Sequence, residues 1–137
     1  MKNINDLKLI IGSDFFDFSE FIKKYEFIIS TGKLSEYYCS LMFDITLNTK
    51  SNDFYDGVDA ENKIVEIKQR KFISRIPGGM KIDLNRIDYV LYVFLGADLL
   101  PDEIIRIDKN HIRETSNKRV SFKEAIRNKK YETIYKR

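Results

Sequence analysis

The chain has 137 residues with a net charge of +3, and its 43% hydrophobic and 33% charged residues are typical of one soluble globular domain. No apolar run approaches the ~20 residues of a membrane span, and the N-terminus lacks the apolar core of a signal peptide. A single cysteine, Cys39, and a single histidine, His111, exclude a Cys/His zinc site within one chain and leave no Cys-His dyad or Ser-His-Asp triad. We therefore expect one domain, residues 1–137, in the reducing cytoplasm.

Two helices are predicted in the first third of the chain. In Phe18–Ile29 the apolar residues recur every three or four positions, and Gly32 suits the end of that helix. A second helix is predicted from Leu34 to about Leu47, with a broad apolar stripe. Glu36 lies off the centre of that stripe, in the predicted first turn. It either complements the helix dipole there or faces a functional patch.

Residues 54–70 predict a β-hairpin around which the rest of the chain is organised. Its first strand is predicted from Phe54 to Val58 or Asp59 and its second from Ile64 to Lys68, with a polar turn between them. Side chains alternate along a strand, so Glu66 and Lys68 share one face.

The pairing register decides which aspartate joins that face. Paired residue numbers that sum to 122 leave a three-residue loop, place Asp56 opposite Glu66 and pair Val58 with Ile64. In that register Asp59 turns to the other face. Two carboxylates and an ammonium group then converge on one patch of the sheet.

This convergence has a chemical use. Neighbouring carboxylates repel each other unless a cation lies between them, and Mg²⁺ prefers one or two carboxylates together with waters and phosphate oxygens. A nearby lysine can orient or deprotonate an attacking water, or stabilise negative charge that builds up on phosphorus. Charges on the wet face of a half-buried strand are the alternative explanation.

Buried strands are predicted in the second half of the chain. Residues 71–87 form a mixed segment whose Pro77–Gly79 predicts a turn, either in a substrate-covering loop or in a plain connection. Asp88–Leu95 is the most apolar run and predicts a strand buried on both faces. Glu103–Ile107 predicts another strand, and Pro101 an irregular connection before it.

The C-terminal part is strongly basic. Residues 113–137 carry nine Lys or Arg against three Glu, a net charge of +6, whereas the remainder carries −3. Ser121 and Glu124 form a capping-box pattern that predicts a helix to about Lys129 within a basic C-terminal region. Clustered basic residues indicate a polyanion partner, and a solvated helix is the alternative. The whole order predicts an α/β fold, a mixed sheet of four to five strands flanked by helices.

These motifs, in this order, resemble the PD-(D/E)XK nuclease superfamily, the fold of many type II restriction endonucleases and of archaeal Holliday junction resolvases. The resemblance covers roughly residues 30–110. It rests on Gly32–Glu36, Tyr55–Asp59, Val65–Lys68 and the hydrophobic strand that ends at Leu95. Tyr55 stands where the family often has proline.

The resemblance implies a restriction-endonuclease-like domain with specific roles for the hairpin residues. Asp56 and Glu66 would hold Mg²⁺, or Mn²⁺ as a substitute, with help from the backbone carbonyl of Ile67. Lys68 would assist the attacking water, and Glu36 would support the site. Members of the family differ in the spacing from aspartate to glutamate, so Asp59 is an alternative metal ligand.

Three classes of function follow. The first is a Mg²⁺-dependent endodeoxyribonuclease, restriction-type or structure-specific, that acts on DNA as a homodimer. The second is a non-catalytic DNA-binding or assembly module with a nuclease-like fold, and the intact Asp56, Glu66 and Lys68 set argues against it. The third is an unrelated α/β domain. In the first class, phosphate contacts are expected from basic residues near the hairpin and in the C-terminal part: Arg70, Lys71, Arg75, Lys118 and Arg119.

Overall fold

The computed structural model describes residues 30–49, 55–70 and 78–137, so the predicted helix 18–29 lies outside the described residues. The described parts form a mixed α/β fold with one sheet of six strands and a second sheet of three. Within them, no helix is both long and apolar enough to cross a membrane.

The first described helix, α1, is Thr31–Phe43. Ser30 caps its N-terminus, because the Ser30 hydroxyl accepts a hydrogen bond from the Lys33 N–H at 3.3 Å. Gly32 therefore lies in the first turn of α1, and the prediction that it ends a preceding helix is wrong in this respect. The earlier start also places Glu36 in the second turn rather than the first.

Helix α1 ends earlier than predicted. Asp44 takes a left-handed conformation, with φ 55°, directly after the last helical residue. The chain then enters strand β1, Thr46–Leu47, instead of continuing as helix to Leu47. The apolar stripe did not reveal this end because Ile45 is buried in the same core cluster as the helix.

The main sheet has six strands, not the four to five predicted. After β1, its members are β2 (Gly57–Val58), β3 (Ile64–Arg70), β5 (Tyr89–Leu95), β6 (Pro101–Asp108) and β9 (Glu132–Lys136). They lie in the order β1-β2-β3-β5-β6-β9, in which β3 and β5 are parallel and the other neighbouring pairs are antiparallel.

The hairpin register is confirmed. Gly57 pairs with Val65, and Val58 pairs with Ile64, so paired numbers sum to 122. Strand β3 continues to Arg70, beyond the predicted end at Lys68. Glu66, Lys68 and Arg70 therefore alternate onto one face of the sheet.

Strand β5 is the centre of the core, as predicted. All seven of its residues are buried, which fits a strand covered on both faces. Strand β6 begins at Pro101 rather than at Glu103. A proline is tolerated as the first residue of a strand because its missing N–H is not yet needed for pairing.

Different elements cover the two faces of the main sheet. Helix α1 covers the face that carries Val65 and Ile67. The opposite face, with Val90 and Tyr92, packs against residues of a small sheet. The predicted flanking helices are therefore found on both faces, because the short helix α2, Lys123–Arg127, adds the buried Ala125 to this second face. The small sheet has the order β4-β8-β7 and comprises β4 (Gly78–Lys81), β7 (Arg113–Ser116) and β8 (Arg119–Ser121).

The basic C-terminal part contains the three strands β7, β8 and β9 and is not the helix predicted from about residue 113. Only helix α2, Lys123–Arg127, interrupts the strands there. The Ser121 hydroxyl accepts a hydrogen bond from the Lys123 N–H at 3.3 Å, and Phe122 takes the N-cap position without a side-chain bond. The helix predicted from the Ser121 pattern to about Lys129 is thus confirmed as the shorter α2, but the capping box itself is wrong, because Phe122 and not Ser121 is the N-cap. Gly78 and Gly79, predicted as a turn, belong to β4.

Candidate active site

Asp56 is held at the start of the hairpin by the backbone of β3. Its N–H donates to the Val65 carbonyl at 3.0 Å, and its Oδ2 accepts a hydrogen bond from the Ile67 N–H at 2.6 Å. Both bonds follow from the register, because residue 56 comes opposite residue 66 when Gly57 pairs with Val65. The carboxylate is therefore fixed in place, half-buried, before any ligand binds.

Glu66 and Lys68 form a close ion pair on the same strand. The Lys68 ammonium lies 2.7 Å from Glu66 Oε1. Glu66 is buried, with 9% of the residue exposed. A carboxylate that is removed from water this far needs such a partner, so Lys68 stabilises the charge of Glu66.

The environment of Asp56 raises its pKa to about 6. Burial is the main cause, and the charge of Glu66 adds to it. The hydrogen bond from Ile67 and the charge of Lys68 act in the opposite direction but do not compensate. The two carboxylates repel each other in a site that is partly shielded from water. A bound cation would relieve this repulsion.

Glu36 lies near this pair but is attached to the other side of the sheet. Helix α1 packs against the face opposite Glu66, yet the charge of Glu36 contributes to the raised pKa of Asp56. Its carboxylate forms an ion pair with Lys33 at 3.0 Å. Glu36 therefore acts on Asp56 through its charge, and it does not line the cleft described below.

Asp59, the alternative ligand, is placed elsewhere. Its Oδ1 accepts hydrogen bonds from the Glu61 and Lys63 N–H groups at 2.8 and 2.9 Å. Its Oδ2 accepts one from the Tyr89 hydroxyl at 2.8 Å. Burial acts to raise the pKa of Asp59, but these hydrogen bonds outweigh it and leave that pKa lowered. The carboxylate is satisfied within the fold, on the face away from Glu66.

Asp56 and Glu66 open into a cleft of about 300 Å³ between the hairpin and the small sheet. The far wall carries Lys81, Asp83 and Lys118. Sequence analysis missed Lys81 and Asp83, because strand β4 was not predicted and its partner strand β8 comes some forty residues later. A larger cavity, about 520 Å³, lies beside Asp59, and neither Asp56 nor Glu66 lines it.

The predicted phosphate-binding residues are distributed unevenly. Lys118 lines the cleft, while Arg119 follows it as an exposed residue of β8. Burial raises the pKa of Tyr92, and the Arg70 guanidinium beside it only partly opposes that rise. The Nε atom of Arg70 is itself buried, so Arg70 points toward the core. Lys71 and Arg75 lie outside the described residues.

The donor set fits a hard divalent cation. Asp56 Oδ1 and Glu66 Oε2 are the carboxylate oxygens that the bonds to Ile67 and Lys68 leave available. Across the described ranges no group of three or more His, Cys, Asp or Glu side chains is arranged around a common point. Two carboxylates without a full protein cage suit Mg²⁺, which keeps several waters and takes phosphate oxygens from a substrate.

Compared with known proteins, the chain matches no protein-family model, and no curated protein is significantly similar to it.

Proposed function

We propose that the protein is a Mg²⁺-dependent endodeoxyribonuclease with a restriction-endonuclease-like fold. The observation that carries the proposal is the pair of Asp56 and Glu66, adjacent in one cleft, with the pKa of Asp56 raised by burial and by the Glu66 charge. Groups with strongly shifted pKa values are common at functional sites, because catalysis uses ionisable groups that the fold itself does not neutralise. The hairpin motif and its resemblance to the PD-(D/E)XK nucleases supply the reaction class.

Asp56 and Glu66 would hold the metal ion, with the Ile67 carbonyl as a further ligand. When bound, Mg²⁺ supplies positive charge that stabilises a phosphoryl group under attack. The Ile67 N–H already orients Asp56 through its 2.6 Å hydrogen bond, so no rearrangement of the hairpin is needed. Glu36 would tune the site through its charge near Asp56.

Lys68 would act on the chemical step. Its ammonium group is 2.7 Å from Glu66, and 24% of its side chain is exposed, so it reaches both the site and the solvent. From there it can orient an attacking water or stabilise negative charge that develops on the phosphate. We assign phosphate binding to Lys118, Arg119, Lys71 and Arg75.

We also propose that two chains act together on duplex DNA. One cleft makes one cut, whereas a two-fold pair of clefts cuts both strands of a palindrome or a junction. Sedimentation of the protein alone and on duplex DNA tests this, and a monomer in both samples would contradict it.

The test compares plasmid, branched and single-stranded DNA with Mg²⁺ and with EDTA. We expect cleavage of at least one substrate by the wild type with Mg²⁺ and none with EDTA. Asp56→Asn and Glu66→Gln should abolish it while the proteins remain folded. Asp59→Asn is the matched control, because it changes a carboxylate of the same hairpin on the other face, and it should retain cleavage.

Two results would overturn this assignment. If Asp56→Asn cleaved DNA fully while Asp59→Asn lost cleavage, the metal site would lie on the other face of the hairpin. DNA binding without cleavage of any substrate, with Mg²⁺ or Mn²⁺, would favour the non-catalytic DNA-binding module.

A further inference from the structure

The wall of the cleft opposite the carboxylates is built by the small sheet. Lys81 ends β4, and Lys118 lies in the turn between β7 and β8. These two segments are joined directly, since the Ile82 N–H donates to the Lys118 carbonyl at 2.8 Å. Two lysines that are far apart in sequence thus line one cleft with Asp56 and Glu66.

The backbone at Lys118 has an unusual conformation. Asn117 and Lys118 both have positive φ, 34° and 62°, in a two-residue hairpin turn. Asparagine tolerates this region, but the second position of such a turn usually carries glycine. A lysine there is strained by about 1 kcal/mol relative to glycine.

The charges on this wall are only partly neutralised within the described residues. The Lys118 ammonium is 3.6 Å from Asp83 Oδ2, and that carboxylate is shared with Arg86 at 3.4 Å. Lys81 is exposed and makes no ion pair with any carboxylate in the described part of the chain. The wall therefore presents positive charge toward a cleft whose other side is acidic.

A phosphodiester strand matches both sides of such a cleft. One phosphate needs a cation between itself and the carboxylates, while its neighbours along the strand need direct positive charge. Lysine suits the second role because its ammonium is a mobile point charge with three donors. Neither Asp56 nor Glu66 can supply that contact.

We propose that Lys81 and Lys118 form a phosphate-binding subsite for the nucleic acid strand that enters the cleft. The small sheet holds this subsite in position. The subsite rests on the proposed function, because it assumes a nucleic acid substrate. The β4 and β7–β8 segments lie outside the hairpin motif. In this proposal they determine how the nucleic acid strand lies across the carboxylates.

The experiment measures binding of labelled duplex DNA in EDTA, where no cleavage is expected, over a range of salt concentrations. Each of Lys81→Ala and Lys118→Ala should weaken binding roughly 5- to 10-fold near 0.1 M salt and reduce the log–log salt slope by about one. Lys136→Ala is the matched control. It removes an exposed lysine from β9, at the opposite edge of the main sheet, and should leave the slope unchanged.

Lys118→Gly separates a binding role from a structural one. Glycine relaxes the left-handed position, so the variant should melt at or above the wild-type temperature. Its DNA binding should nevertheless weaken as much as that of Lys118→Ala. Binding equal to that of Lys136→Ala, in this variant and in Lys81→Ala, would overturn the subsite.

The outcomes distinguish the two proposals. A wild type that binds DNA with the expected dependence on Lys81 and Lys118, yet cuts nothing, supports the subsite and contradicts the nuclease. A wild type that cuts DNA while both lysine variants bind like the control contradicts the subsite alone. A wild type that binds no DNA in EDTA also overturns the subsite.

Discussion

The two ends of the β2 segment carry aspartates with opposite environments. Asp59 receives hydrogen bonds from two backbone N–H groups and from Tyr89, and its pKa is lowered. Asp56 is half-buried beside Glu66, and its pKa is raised to about 6. Hydrogen bonds within the fold satisfy both oxygens of the Asp59 carboxylate, but in Asp56 only Oδ2 accepts such a bond from the described residues. Because of this difference, rather than the residue type, we propose Asp56 as the functional carboxylate and Asp59 as a structural one.

The lysines of the hairpin extend this comparison and give the largest expected effect. Lys68 lies on the Asp56 side, and its loss should slow single-turnover cleavage about 10²- to 10⁴-fold with little change in DNA affinity. Lys63, near the exposed Glu61 at 3.9 Å, belongs to the turn, and Lys63→Ala should cut normally.

Removal of Lys68 leaves Glu66 buried without its partner, so melting curves must accompany the kinetics. Lys68→Arg keeps the positive charge and serves as a folding control. If Lys68→Ala is folded and loses only affinity, with an unchanged saturated rate, then Lys68 merely binds phosphate.

Gly57, next to Asp56, allows the hairpin to approach β1 closely. A Cβ at this position would lie 2.6 Å from Ile45 Cγ2 and 2.8 Å from the Thr46 carbonyl oxygen. The carbonyl cannot move without displacing β1, so Gly57→Ala should cost up to about 3 kcal/mol and disturb Asp56. Urea denaturation measures the cost. Gly32→Ala, whose Cβ would meet only Ser30 Oγ at 3.7 Å, is the control and should be neutral or stabilising.

Asp59→Ala tests the structural side of the comparison. It removes the acceptor of two backbone N–H groups and of the Tyr89 hydroxyl, so we expect a loss of about 2 kcal/mol in the free energy of unfolding. Cleavage per folded molecule should change little. Asp59→Asn keeps one acceptor oxygen and should lose less stability. A stable but inactive Asp59→Ala would reverse the assignments of the two aspartates.

Sequence analysis predicted the hairpin register because a slip of one residue would exchange the faces of every side chain. It also predicted strand β5, whose continuous apolar residues need cover on both faces. The same reasoning failed after residue 113, where β7 is exposed throughout and charges mask the strand pattern. Lys118 was predicted as a phosphate contact, but the wall that it forms with Lys81 and Asp83 was not. Lys81 and Lys118 meet there only through pairing between distant strands, which local patterns do not encode.

The smallest expected effect is a difference in how the two aspartates respond to pH in metal-free protein. The fold raises the pKa of Asp56 from 3.8 to about 6. Between these values this group binds more protons in the folded state than in the unfolded state, so the contribution of Asp56 to stability falls as pH rises from about 4 to 6.

Asp56→Asn cannot lose this proton, and its Oδ1 can still accept the Ile67 hydrogen bond. Its melting temperature should therefore equal that of the wild type near pH 4 and exceed it by roughly 2–5 °C above pH 6. Asp59→Asn should show the opposite sign at lower pH, because a lowered pKa stabilises the fold fully above about pH 4 and that contribution disappears only as pH falls below about 4. Thermal melts of the three proteins between about pH 2.5 and 8 measure both curves. If the melting temperature of Asp56→Asn differed from that of the wild type by the same amount at every pH, Asp56 would not be the carboxylate with the raised pKa. A lower melting temperature of Asp56→Asn at pH 7.5 would mean the same.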